Sequence, residues 1–394
     1  MSEQRIIYAG PFAFPDGGAA ARRVLGNVQS LLEAGHKVEV WSGQMAPAQS
    51  SSASPVPVRS LGERTAEHLP RRLRHLAYAT MGRRLVEALA ADAKNISAVI
   101  LYSGYTPYLQ RLLAWSRRVR IPVIFDAVEW YDPPRRSSFL TDPYYWNIEL
   151  AMRVLAPRCG NAIAISKRLE RHFRAAGCRT LRVPPTLDVT SLSPRDAPGE
   201  AGAPLTLTFT GTPGRKERLG PLLAALTHLR EPRLQLKIAG VDERALLELP
   251  DVKDHGITTL PPGVAALGRV THDDALALTR SADCSVLLRP SARFSEAGFP
   301  TKAVESLAAG TPIFGNLTSD LADHLSDGES AVLVAEPSVD AVIVALRRLI
   351  NLSRETLGRM RQAARAEALR AFDYRRHATA FDAFVSDLQL RPAR

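Results

Sequence analysis

Short apolar runs rich in β-branched residues alternate with stretches of helical period along almost the whole chain, and this alternation restricts the fold more than any other feature. Ile6–Ala9 reads as a strand, Ala19–Leu32 as a helix with Val24, Val28, Leu31 and Leu32 on one face, and Lys37–Trp41 as a strand after the Gly35 stop signal. Further strands are expected at Ala98–Leu101, Val123–Phe125, Ala162–Ile165 and Leu181–Val183, then at Leu205–Thr210, Leu234–Ala239, Cys284–Leu288, Ile313–Phe314 and Ala331–Val334. Strands that take turns with helices form parallel sheets covered by helices, so an α/β architecture is expected. The 394 residues exceed what one ordinary core holds. The segment Pro185–Pro204, rich in Pro, Gly, Ala and Ser, has no regular period and reads as an interdomain connection. The expected division is a domain over 1–188, a linker over 189–204, a second domain over 205–370, and a C-terminal helix over 371–394 packing back toward the first domain. No period of 20–50 residues recurs, which excludes a solenoid.

Hydrophobic residues make up 45% of the chain, enough for two packed cores, yet no apolar run reaches the roughly 18 residues that a membrane span requires. The opening MSEQRIIYAG has only a strand-length apolar run, so no secretory signal is expected. Cys159, Cys178 and Cys284 are odd in number and lack metal or disulfide spacing, which fits a reducing cytoplasm. The net charge of +11 is unevenly placed. Residues 1–195 hold 27 Lys and Arg against 15 Asp and Glu, whereas residues 196–394 hold 24 against 25. The densest basic cluster is His68–Leu89, with Leu69, Leu73, Leu76, Met81 and Leu85 at near-helical intervals. Such a segment either lies on an anionic membrane surface or packs its apolar side on the domain and solvates its arginines. No aromatic interleaving or recognition motif points to nucleic acid.

Ligands of open α/β sheets bind at the carboxyl ends of the strands, so the strand-to-helix loops carry the functional question. The first loop, Gly10–Arg23, opens its helix with Gly17 and Gly18, leaving backbone N–H groups for an anion, or else it is a glycine turn without a ligand. The second, Phe209–Leu223, places Gly211, Arg215 and Lys216 at a helix start, where phosphate is favoured; a solvated basic turn is the other reading. The third, Ser285–Lys302, carries Arg289, Arg293, Glu296 and Lys302. It runs into GFPTKAVESLAAGTPI, where Glu305 stands among small apolar residues in the first turn or so of an expected helix. That carboxylate either complements the helix dipole or accepts hydrogen bonds from the two hydroxyls of a ribose.

GFPTKAVESLAAGTPI resembles the donor-site signature of retaining glycosyltransferases of family 4, whose GT-B fold sets two Rossmann-like domains around a central cleft, with helices at the C-terminus. The likeness continues in DGGAAARRVLGNVQSLLEAGHKVEVWSG, GNAIAISKRLERHF, GTPGRKERLGPLL and GRVTHDDALALTRSADCSVLLRP, in the family's order. It implies that Glu305 binds the ribose of a nucleoside-diphosphate sugar and that Arg215 and Lys216 neutralise its diphosphate. Val270 would lay its backbone against the base. The amides of Gly18 and of the turn Gly298, Phe299, Thr301 and Lys302 would complete the phosphate and sugar contacts, Pro300 lacking an N–H.

Three positions depart from the family pattern. Where a glutamate often stands eight residues before Glu305 this chain has Ala297, with Glu296 one place off, and Thr212 replaces a frequent loop arginine. Arg215, Arg289 or Arg293 would then reach the diphosphate. In place of a histidine near the end of a first-domain strand stand Asp126, Glu129 and Asp132. A carboxylate there either takes the acceptor proton or steadies developing charge, or serves as a structural cap or ion-pair partner.

The expected activity is hexosyl transfer with retention to an acceptor hydroxyl, with Lys216 aiding the leaving group and Asp126 and Glu129 as candidate catalytic carboxylates. No D-x-D motif marks the cleft loops, so no metal or other cofactor is expected. The expected acceptor is a saccharide, lipid-linked as in bacterial surface-polysaccharide assembly, met by a cytoplasmic enzyme peripheral on the inner membrane face. A nucleotide-sugar 2-epimerase and a non-catalytic binding or scaffold protein of the same fold are the alternatives.

Overall fold

The computed structural model describes residues 4–45, 54–63, 79–132, 142–194 and 202–388. Residues 68–78 of the basic segment, 195–201 of the expected linker and 389–394 of the expected last helix lie outside the described residues. The chain forms two compact units. One is Met1–Leu187 with Ala297–Phe299 and Tyr374–Arg394; the other is Asp188–Glu296 with Pro300–Asp373. Residues 188–194, expected in or beside the linker, thus belong to the second unit, where Val189 is buried and donates its N–H to Asp373 Oδ2 at 3.2 Å.

The first unit carries strands β1 (Arg5–Gly10), β2 (Val38–Ser42), β3 (Val58–Ser60), β4 (Ile96–Tyr102), β5 (Val123–Ala127), β6 (Asn161–Ala164) and β7 (Arg179–Arg182). Between them run α1 (Gly18–Glu33), α2 (Arg83–Asp92), α3 (Thr106–Val119), α4 (Pro143–Leu150) and α5 (Lys167–Ala175). The strands form one parallel sheet in the order β3-β2-β1-β4-β5-β6-β7. Chain order reverses between β1 and β4, which makes the carboxyl ends of these two strands the place where an open sheet of this kind receives a ligand.

The second unit repeats the plan with β8 (Leu205–Thr210), β9 (Leu234–Ala239), β10 (Val264–Ala266), β11 (Cys284–Leu287), β12 (Ile313–Gly315) and β13 (Ala331–Leu333). Its helices are α6 (Gly220–Leu229), α7 (Glu243–Leu247), α8 (Pro250–Lys253), α9 (His272–Ser281), α10 (Arg293–Ala297), α11 (Thr301–Ala308), α12 (Val339–Ile350) and α13 (Arg354–Ala371). The strand order β10-β9-β8-β11-β12-β13 is again all parallel, and the reversal lies between β8 and β11. The expected pair of parallel α/β sheets is therefore present.

Burial explains why these runs become strands. Ile6 and Tyr8 of β1 pack with Val24, Val28 and Leu31 of α1, and Phe381 and Phe384 of α14 (Ala378–Ser386) close the same core. Ser30 Oγ fastens this last segment by donating to the carbonyl of Tyr374 at 2.9 Å. A fully buried Val, Leu or Phe contributes about 1.5–3 kcal/mol. The central strands β1 and β4 are buried on both faces, hence their apolar runs, whereas β8 and β9 alternate apolar residues with Thr, Gln or Lys. The edge strands β3 and β10 lack such runs and are exposed or half-buried, so the pattern of the sequence did not reveal them.

Candidate donor site

The loop after β8 is shaped by close backbone approach. Gly211 has a φ of +112°, and a Cβ there would fall 2.8 Å from Lys302 Cε. Gly240, at φ +116°, would collide with the Gly211 carbonyl at 2.4 Å. Two glycines thus let the loops after β8 and β9 touch, and leave a seat into which the lysine side chain lies. The far end of the first loop is pinned: Arg218 donates its N–H to the Leu288 carbonyl at 2.9 Å, and its guanidinium meets Asp251 at 2.9 Å. Asp251 also accepts the Gly220 N–H at 2.7 Å, where α6 begins.

Lys302 arrives from the second position of α11. Its Nζ lies 4.0 Å from the centre of the Phe209 ring and 3.3 Å from Glu217 Oε1. Burial holds its pKa below the ordinary lysine range; Glu217 pulls upward, Arg289 adds to the drop, and Glu305 opposes it. Those four side chains therefore share one electrostatic neighbourhood, at the loops that follow β8 and β11. Arg289 is 6% exposed, and its backbone is fixed from both sides by Asn316. The Asn316 Oδ1 accepts the Arg289 N–H at 2.8 Å and its Nδ2 donates to the Arg289 carbonyl at 2.9 Å.

Glu305 is half-buried and is the fifth residue of α11, beyond the first turn. The helix has no acidic residue in its first turn, so the dipole explanation weakens, since that effect fades within one turn. Glu296 accepts the Ser319 N–H at 3.2 Å, and Arg293 opens α10. Arg215 is exposed and Lys216 half-buried on the Gly-rich turn. Val270 lies half-buried just before α9, whose first turn is capped by Thr271 Oγ1 accepting from the Asp274 N–H. Thr301 and Lys302 start α11, whereas Gly298 and Phe299 group with the first unit.

In the first unit, Gly17 caps α1, and a Cβ on it would strike the Ala13 carbonyl at 1.9 Å; Gly18 follows with a φ of +66°. Asp126 requires a correction. It is wholly buried, with Oδ1 taking the Arg23 guanidinium at 3.0 Å and Oδ2 taking Tyr8 Oη and, at 3.5 Å, Asn27 Nδ2. Arg23 also donates to the carbonyls of Val183 and Pro184 at 2.8 and 2.7 Å. Desolvation and the Asp126 charge push the Tyr8 phenol well up. This network ties α1 to β1, β5 and the segment after β7, and it closes the carboxylate off from solvent. Glu129 is half-buried beside Tyr102, whose phenol is raised by burial first and by Glu129 and Asp126 next. Ser103, at the end of β4, holds a left-handed φ of 37°, the kind of strain that gathers at functional sites.

Two participants escaped the sequence reading, Glu217 and Asn316. Glu217 was hidden in a basic run, and Asn316 is recognisable only once β11 and β12 are side by side. Among the described residues no group of three or more His, Cys, Asp or Glu is placed to hold a metal ion, and no helix is long and apolar enough to cross a membrane.

Two family models match the chain, one described as glycosyl transferase 4-like domain over residues 18–186 and one as glycosyl transferases group 1 over residues 204–352. The chain belongs to the group 1 glycosyltransferases. No curated protein matches it significantly in sequence. Among solved structures, this glycosyltransferase is similar to a sucrose-phosphate synthase from Thermosynechococcus elongatus, with a TM-score of 0.73 at 18% identity over 98% of this chain and 99% of the other. It is also similar to Anabaena HepE in complex with UDP and glucose, with a TM-score of 0.68 at 16% identity over 98% and 100% of the two chains. A trehalose-phosphate synthase from Burkholderia xenovorans aligns with a TM-score of 0.66 at 14% identity over 98% and 100%. These likenesses establish the GT-B fold.

Proposed function

We propose that this glycosyltransferase moves a hexosyl group from a nucleoside-diphosphate sugar to an acceptor hydroxyl with retention of configuration and without a metal ion. The observation that carries the reading is the seat formed by Gly211, Lys302, Arg289 and Glu305 where the second sheet reverses its strand order. An ammonium held largely out of water, with a guanidinium in its field, is a strong receptor for a diphosphate. A carboxylate one helical turn further along α11 suits the paired hydroxyls of the attached ribose.

In this mechanism Lys302 and Arg289, with Arg215 and Lys216 on the Gly-rich turn, stabilise the negative charge that grows on the leaving diphosphate. The diphosphate takes the acceptor proton as the new bond forms, so no protein nucleophile is required. Asp126 has no part in it beyond holding Arg23; Glu129 is the candidate carboxylate of the first unit. HepE bound to UDP and glucose supports a uridine donor. The charge surplus of residues 1–195 supports an anionic, lipid-linked saccharide acceptor and a peripheral place on the inner membrane face. The test is turnover of UDP-, GDP- and TDP-hexoses with and without saccharide acceptors. The proposal requires sugar transfer that Glu305→Ala weakens through donor KM. Conversion of the donor sugar without acceptor would identify an epimerase instead. Nucleotide binding without any turnover would identify a non-catalytic protein, a reading that the buried Ala297 favours.

A further inference from the structure

We propose that Glu217 is an internal stand-in for a donor phosphate, which the diphosphate displaces on binding and which returns as the product leaves. The inference rests on the donor-site reading given above. Glu217 Oε1 lies 3.3 Å from Lys302 Nζ, while its Oε2 accepts the N–H of Gly214 at 3.1 Å. One carboxylate thus occupies both an amide of the Gly-rich turn and the ammonium seated against Gly211. An amide and a cation converging on one anion are what a phosphate oxygen pair would take.

The surroundings separate this pair from a permanent ion pair. Lys302 is pressed against the Phe209 ring and lies in the field of Arg289, so it needs a counter-anion whether or not a donor is present. Glu217 is no more exposed than the lysine, at 15% against 23%, but it follows a turn in which Gly214 faces open space. The next residue, Arg218, is anchored by Leu288 and Asp251, so Glu217 can turn away without the loop losing its footing. A diphosphate carries more charge than a carboxylate and wins the lysine. The displaced Glu217 remains nearby, repels the product and shortens its stay.

Isothermal titration with inorganic pyrophosphate and with UDP tests this, using wild type, Glu217→Gln and Glu217→Asp. Glutamine keeps an acceptor for the Gly214 N–H but removes the charge; aspartate keeps the charge but is too short to reach both groups. The inference predicts that Glu217→Gln binds both ligands about three- to tenfold more tightly than wild type, because a like charge has left the site. Glu217→Asp moves in the same direction, and UDP dissociates more slowly from both variants. Equal or weaker binding by folded Glu217→Gln overturns the stand-in, since freeing a lysine and an amide from a competing anion must raise affinity. If wild type binds UDP and Lys302→Met weakens it while Glu217→Gln gives no gain, the stand-in alone falls. If none of the proteins binds pyrophosphate, UDP, GDP or TDP, the donor-site reading falls and this inference with it.

Discussion

Each unit sets a cation against a carboxylate, and the two pairs differ in what encloses them. Arg23 and Asp126 are 2% and 0% exposed, and two backbone carbonyls, a phenol and an amide surround the pair with hydrogen bonds. Lys302 and Glu217 are 23% and 15% exposed, and the carboxylate stands on a turn that opens to solvent. A fully buried pair of charges is a structural fastening. A desolvated cation whose counter-anion can move is a receptor.

The largest expected effect breaks the fastening. Asp126→Ala leaves the Arg23 charge buried among carbonyls and is expected to cost about 3–5 kcal/mol of stability, read by chemical denaturation. Lys302→Met should do the reverse, with little change in melting and a loss of nucleoside-diphosphate affinity of at least about 2 kcal/mol in titration calorimetry. Glu305→Ala sharpens the division within the site. It should cost about 1.5–3 kcal/mol of UDP affinity through lost hydroxyl bonds, while pyrophosphate affinity stays unchanged.

The smallest effect is a pH dependence. In the free protein Lys302 gives up its proton below the ordinary lysine range, burial being the main cause and Glu217, Arg289 and Glu305 the charges that modulate it. A bound diphosphate favours the charged lysine and returns its pKa upward. The complex then holds more proton than the free protein, so UDP affinity should fall as pH rises through that lowered range, by no more than about tenfold per pH unit. Unliganded stability should rise with pH across the same window, because the unfolded chain keeps that proton longer. Lys302→Met should remove both trends.

Much of this was legible in the sequence, for physical reasons that also explain the misses. Central strands such as Arg5–Gly10 and Ile96–Tyr102 announced themselves because both faces are buried and mostly apolar, and Leu205–Thr210 and Leu234–Ala239 because apolar residues alternate with polar ones. The exposed edge strand Val58–Ser60 carries no such demand. Gly211, Lys302 and Glu305 stand out in sequence because glycines and charges sit among small apolar residues, and the structure brings Lys302 against Gly211 with Glu305 in its field. Asp126 was misread because a strand-end carboxylate looks the same whether it faces solvent or Arg23, a partner 103 residues away. Glu217 was missed for the same reason, its lysine lying 85 residues further on.

The central claim is that the second unit grips a nucleoside diphosphate through Lys302. The most direct test is to titrate wild type and Lys302→Met with UDP and with uridine alone, substituting GDP or TDP and its nucleoside if that ligand stabilises the protein most. The account predicts a marked loss of diphosphate affinity in the variant with nucleoside binding unaltered. Equal diphosphate affinity in the two folded proteins would contradict it.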